Sequence, residues 1–265
     1  MTSNNKTRAA KKTAPNRKAA QGRERAQARR IVEMQKAPER RRRITLWTSV
    51  AVVLVLVVAG IVGYGIMSSQ DKQNAGKLTV PSVAVDNGTA FAVGSGPVVI
   101  DLYEDFMCPV CHEFETTDQT TIKQLVAQNK VTVRYHPVAI LDPSSNGTKY
   151  STRAAGAAAA AAQAGKFLQY HDVLYQNQPA EGSSGLTNVK LIELGKSVGL
   201  TGSAFTDAVN NGTYDAWVAK NTDSFSQRGY NGTPTVVIAG KQYKNPQSAY
   251  PQPAELTNLV AQAAQ

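Results

Sequence analysis

The chain has 265 residues, a formal net charge of +10 and only two cysteines, enough length for one ordinary domain with appendages. Residues 1–43 hold fifteen Lys or Arg against three acidic residues, and the other 222 hold fourteen basic and sixteen acidic ones. A basic field is therefore not how the rest of the chain attracts a partner, and no nucleic-acid partner is expected.

In chain order, residues 1–43 have few large apolar side chains and read as a disordered basic tail. Ile44 to Met67 is twenty-four residues without a charge. That is enough to cross a bilayer as a helix. Trp47 and Tyr64 lie near its two ends, where amphipathic rings favour the interface. The basic flank precedes the span, so the tail is expected in the cytoplasm and everything after Met67 outside it. A cleaved signal peptide is the rival reading. It would have a shorter apolar core and a small-x-small exit, and Ile66-Met67-Ser68-Ser69 lacks one. An uncleaved signal-anchor is the reading adopted.

Residues 68–92 read as a linker and first strand region, and 93–265 as one folded domain. Pro97 to Tyr103 is a continuous apolar run suited to a strand buried on both faces. Pro109 to about Asn129 turns helical, with Phe114, Ile122, Leu125 and Val126 as core positions. Lys130 to Val138 alternates as a second strand. Tyr150 to about Asn177 is helical and Ala-rich. Leu186 to about Arg228 reads as two or three short helices broken at Gly199–Gly202 and Gly212. Thr235–Ile238 is a buried strand, Gln242–Tyr243 an edge strand, and Pro253 opens a last helix. The result is a mixed α/β sheet with a helical insertion at about 142–228. Asn-Gly-Thr recurs at Asn87, Asn146, Asn211 and Asn231. The pattern fits N-glycosylation, and turn chemistry is the preferred reading.

Cys108-Pro109-Val110-Cys111 follows the first buried strand and opens a helix, with Pro109 at its first position. A thiol at a helix N-terminus is biased toward the thiolate. Cys111 is one turn on and within reach. One cysteine can form a mixed disulfide with a partner and the other resolve it. Three alternatives stand beside this reading. The pair could be an inert structural one. It could bind zinc with two ligands drawn from His112, His136 and His171. It could attach haem, since His112 completes C-x-x-C-H, although no methionine lies downstream to ligate it. No cofactor and no metal is the expectation. Glu104 or Asp105 could move the proton of the resolving cysteine, or both could form a solvated strand end. The three histidines are expected to be structural or exposed.

Three stretches together resemble the DsbA-like branch of the thioredoxin superfamily: Tyr103 to Cys111, Gly165 to Asp172, and Gly232-Thr233-Pro234-Thr235. The resemblance implies a thioredoxin-like fold with an inserted helical domain. It implies that Cys108 is the exposed nucleophile and Cys111 the buried resolving cysteine. It also implies that Thr233–Pro234 is a cis peptide beside the sulfurs and that this loop binds substrate backbone. Val110 stands where many members carry His or Tyr, which implies a less strongly oxidising couple. Leu168 stands where an aromatic residue is common.

The reading that follows is a membrane-tethered, extracytoplasmic thiol–disulfide oxidoreductase. It would oxidise cysteines of exported proteins and be reoxidised by a membrane redox partner. An isomerase or reductase, or a non-enzymatic thioredoxin-like module on a stalk, are the alternatives.

Overall fold

The structure, a computed structural model, describes residues 78–265. The basic tail and the apolar segment 44–67 lie outside the described residues. Among the described residues, no helix is long and apolar enough to cross a membrane.

Five strands form one sheet: β1 (Phe91–Gly94), β2 (Val98–Glu104), β3 (Val131–Pro137), β4 (Thr235–Ile238) and β5 (Lys241–Gln242), in the order β1-β3-β2-β4-β5. β2 and β3 run parallel, and the other pairs are antiparallel. A parallel pair needs a crossover. Helix α1 (Pro109–Ala127) supplies it between β2 and β3. The period of two along a strand then sorts the side chains. Ile100 and Leu102 on β2 and Val131 and Val133 on β3 join a core with Phe114, Ile122 and Leu125 of α1. Leu256 and Val260 of the last helix, α7 (Pro253–Ala263), join the same core. Tyr103 falls on the opposite face and packs with Val237 and Phe225. Val126, expected in the core, is only half-buried.

The insertion between β3 and β4 carries a short 3-10 turn (Asp142–Ser144) and five helices. They are α2 (Tyr150–Gln163), α3 (Phe167–Gln176), α4 (Asn188–Ser197), α5 (Ser203–Asn211) and α6 (Asp215–Gln227). The expected single helical stretch from Tyr150 to Asn177 is two helices. Gly165, at φ +69, turns the chain between them. The edge strand lies one residue earlier than expected, at Lys241–Gln242. Every residue from Ala154 to Ala162 is buried, so the alanines form the inner contact surface of the insertion.

The segment before β1 is fastened to the insertion as well as to the sheet. Gln163 Nε2 donates to Ser82 Oγ at 2.6 Å, Trp217 Nε1 to Gly88 O at 2.6 Å, and Asn221 Nδ2 to Thr89 O at 2.9 Å. The Arg134 guanidinium reaches Asp86 from β3 at 3.1 Å. Asn87-Gly88 and Asn146-Gly147 take positive φ at both residues, and Gly212 caps α5 in the left-handed region. Three of the four Asn-Gly-Thr sites are thus turn or cap structures.

Candidate active site

Cys108 is the N-cap of α1. At that position a side-chain acceptor satisfies the N–H groups of the second and third helical residues. Those residues are Val110 and Cys111, and Pro109 at the first position has no N–H to offer. As the thiol, Cys108 makes no side-chain cap bond, and a thiolate there would meet the N–H groups of those two residues. Both cysteines are free thiols in this structure. The Cys108 thiol is brought down to about 6. The main cause is the hydrogen bond from the Cys111 thiol, which outweighs burial, and the Thr233 side chain and the N–H groups of Cys111 and Val110 add to it. Burial pushes the Cys111 thiol well above its ordinary value, and its bond to Cys108 and the nearby Glu104 push the same way.

The expected exposure of Cys108 needs correction. It is only 6% accessible, against 0% for Cys111. The loop before β4 covers it. The pairing of Tyr103 with Thr235 sets the start of β4 beside the end of β2. This brings Thr233–Pro234, a cis peptide, over the sulfur. Cys108 Sγ donates to Thr233 O at 3.2 Å. The Thr233 hydroxyl is buried without a hydrogen-bond partner. It is free to turn toward a thiolate. Pro109 is exposed and Val110 half-buried.

Glu104 and Asp105 are both buried, at 4% and 0%, which removes the solvated strand end. Asp105 organises the loop. Its Oδ1 accepts from the Met107 N–H at 2.9 Å and the Ser151 hydroxyl at 2.6 Å, and its Oδ2 from the Leu141 N–H at 2.9 Å. Burial outweighs these bonds and raises its carboxyl to about 6. Gln178, which the sequence did not single out, donates from Nε2 to Cys108 O at 2.9 Å. His112 Nδ1 lies 2.9 Å from Tyr175 O, so its ring is engaged by the insertion.

Glu104 shares the α1-facing side of β2 with Ile100 and Leu102, and there it meets Glu115 and His171. His171 Nε2 is 3.1 Å from Glu104 Oε2. All three side chains are buried. Burial lowers the His171 pKa, but Glu115 and the bonds to Asp172 and Glu104 overcome this and lift it to about 10. Glu115 is raised, by burial first and then by Glu104. The group is thus balanced by one imidazolium and one held proton. Glu115 was missed, although its position four residues after Cys111 puts it on the same helix face.

A second group, Asp86, Asp101 and His136, lies by the other face of the sheet. Arg134 already supplies its positive charge, with Nη2 2.8 Å from Asp101 Oδ2. Among the described residues, neither histidine–carboxylate group includes Cys108 or Cys111.

A family model described as Thioredoxin matches residues 86–256. Among solved structures, reduced DsbA from Mycobacterium tuberculosis is 31% identical, with a TM-score of 0.58, over 67% of this chain and 93% of that one. The reduced disulfide bond oxidoreductase DsbG from the same organism is 32% identical, with a TM-score of 0.57, over 66% and 87%. A curated relative, the serine/threonine-protein kinase PknE of M. tuberculosis, is 27% identical over 161 residues, 57% of this chain. The chain spans only 28% of that kinase's length. The family model covers more than half of the chain, so the chain belongs to the thioredoxin family, and its two dissimilar thiols at a helix start are the equipment of a thiol–disulfide oxidoreductase.

Proposed function

We propose that the chain oxidises cysteines of exported proteins outside the cytoplasm, through a Cys108–Cys111 disulfide, while residues 44–67 hold it to the membrane. The observation that carries this reading is the inequality of the two thiols. A substrate thiolate attacks Cys108 Sγ, the Cys108–Cys111 bond breaks, and Cys111 leaves with the electron pair. Its high proton affinity means that it leaves as the thiol, and Glu104, the carboxylate near Cys111, is suited to relay the proton that Glu115 holds. A second substrate thiolate attacks the substrate sulfur of the mixed disulfide. Cys108 departs as a stabilised thiolate. The substrate loses two electrons, the enzyme gains them, and a membrane redox partner removes them. Thr233 and Pro234 line the sulfur and are assigned to substrate backbone.

Refolding of reduced ribonuclease tests the chemistry. Wild type should regenerate activity, and Cys108→Ala should not. Cys111→Ala cannot form the internal disulfide and should not regenerate activity either, but its Cys108 should attack a substrate disulfide and stay trapped as the mixed disulfide, releasing one substrate thiolate. Equal refolding by wild type and Cys108→Ala sinks the reading. Protease protection of residues 78–265 in sealed vesicles tests the orientation.

A further inference from the structure

The four Asn-Gly-Thr sites share one local sequence but not one environment. An asparagine followed by glycine can lose its side-chain amide without an enzyme. The glycine nitrogen attacks the Asn Cγ, ammonia leaves, and the resulting succinimide takes up water to give Asp or isoaspartate. The attack needs a free glycine N–H and a free Asn side chain. At Asn87, the Gly88 N–H is committed to Val85 O at 3.0 Å. At Asn211, the Gly212 N–H closes the helix on Ala208 O. At Asn146, the side-chain amide is held on Gly182 O at 2.9 Å. Asn231 differs on both counts. Neither its side chain nor the Gly232 N–H has a hydrogen bond among the described residues, and both residues are exposed.

Asn231 is also the site nearest the chemistry in sequence. It lies two residues before Thr233, whose carbonyl accepts from Cys108 Sγ. Two Cα steps cover at most about 7.6 Å. We propose that Asn231–Gly232 is a self-modification site, at which deamidation places a new carboxylate beside the Cys108–Thr233 contact and makes the couple less oxidising. The direction follows from charge. The added anion disfavours the Cys108 thiolate of the reduced form and leaves the neutral disulfide untouched.

The test uses the full-length chain, held folded at mildly alkaline pH and mapped by peptide mass spectrometry over days. Each converted asparagine gains one mass unit. Asn231 should convert about ten-fold or more faster than Asn87, Asn146 and Asn211, which need local opening first. In urea all four should converge, since the local sequence is the same. Conversion of Asn231 no faster than the other three in the folded chain overturns the site. The effect on the couple is read by equilibration with glutathione. Asn231→Asp should shift the equilibrium about two- to three-fold toward the disulfide, as one added charge at this separation would. Asn231→Ser, which removes the reactive amide without adding charge, should not shift it. An unchanged equilibrium in Asn231→Asp overturns the redox effect. The effect on the couple rests on Cys108 as the attacking cysteine, and the mass map does not, so the two failures are distinguishable.

Discussion

Cys108 Sγ lies 3.2 Å from the carbonyl oxygen of Thr233, a residue 125 positions away in sequence. The contact ties the start of α1 to the loop before β4. It also means that the thiol gives up a hydrogen bond when it ionises, and the Cys111 thiol first, then the Thr233 hydroxyl and the N–H groups of Cys111 and Val110, supply the compensation.

Cys108 should therefore titrate near 6 and Cys111 should not titrate below the alkaline range. Thiolate ultraviolet absorbance of the reduced protein should show one step near that value, absent in Cys108→Ser. Alkylation rates should follow the same curve. A single step above 8 in the wild type contradicts the assignment.

The stability of the reduced form should depend on pH in two limbs. Cys108 has a lowered folded pKa, so its contribution is complete above the unfolded value near 9 and is lost as pH falls through about 6. Cys111 has a raised folded pKa, so its contribution holds below 9 and is lost above it. Asp105, Glu115 and His171 have raised folded pKa values and act in the opposite direction over this range, so the test is the difference between two proteins. From pH 5 to pH 8 the unfolding free energy of the wild type should rise relative to that of Cys108→Ser, by about 1–3 kcal/mol after allowance for partial solvation.

The buried Glu104–Glu115–His171 group should respond unequally to substitution. His171→Ala leaves two carboxyl groups without their cation and should cost about 3–5 kcal/mol in thermal or urea unfolding. Glu115→Gln replaces a carboxyl whose pKa burial raises, and should cost about 1 kcal/mol or less at neutral pH. Equal losses would remove the charge assignment.

Asp105→Asn should be severe despite its matched shape. Asp105 accepts three hydrogen bonds through two oxygens, and an amide nitrogen in either place would face donors. A loss of about 2–3 kcal/mol is expected from the unsatisfied groups. Hydrogen exchange should show residues 105–108 loosened, and turnover should fall with them.

Val110→His should make the couple more oxidising, because an imidazolium beside the N-cap stabilises the Cys108 thiolate. A few tens of millivolts are expected, since about 30 mV corresponds to roughly 1.4 kcal/mol. Equilibration with glutathione measures it. A wild-type potential already near about −120 mV would contradict the role given to Val110.

Much of this was legible in the chain itself. Pro97–Tyr103 and Thr235–Ile238 read as strand-length apolar runs, and the structure has strands at Val98–Glu104 and Thr235–Ile238. Cys108-Pro109 marked the start of α1 because the proline fits only the first turn. Other features depend on tertiary context. β1 is four residues, Phe-Ala-Val-Gly, too short to announce a period. The break between α2 and α3 rests on the backbone angle of one glycine. Gln178 reaches Cys108 from a loop seventy residues on, and no spacing rule connects them. The burial of Cys108 depends on the register of β4 against β2. Glu115 is the exception: its spacing from Cys111 was readable, but a glutamate on a helix reads as solvated until the burial of its face is known.

The segment ahead of β1 has a mechanical consequence. Ser82, Gly88 and Thr89 are bound to Gln163, Trp217 and Asn221 of the insertion, while Asp86 is bound to Arg134 of the sheet. The segment works as a seam stitched through both halves of the domain. Tension arriving from the chain before residue 78 would be divided along that seam, and it would have to open these bonds in turn before it reached the cysteine loop.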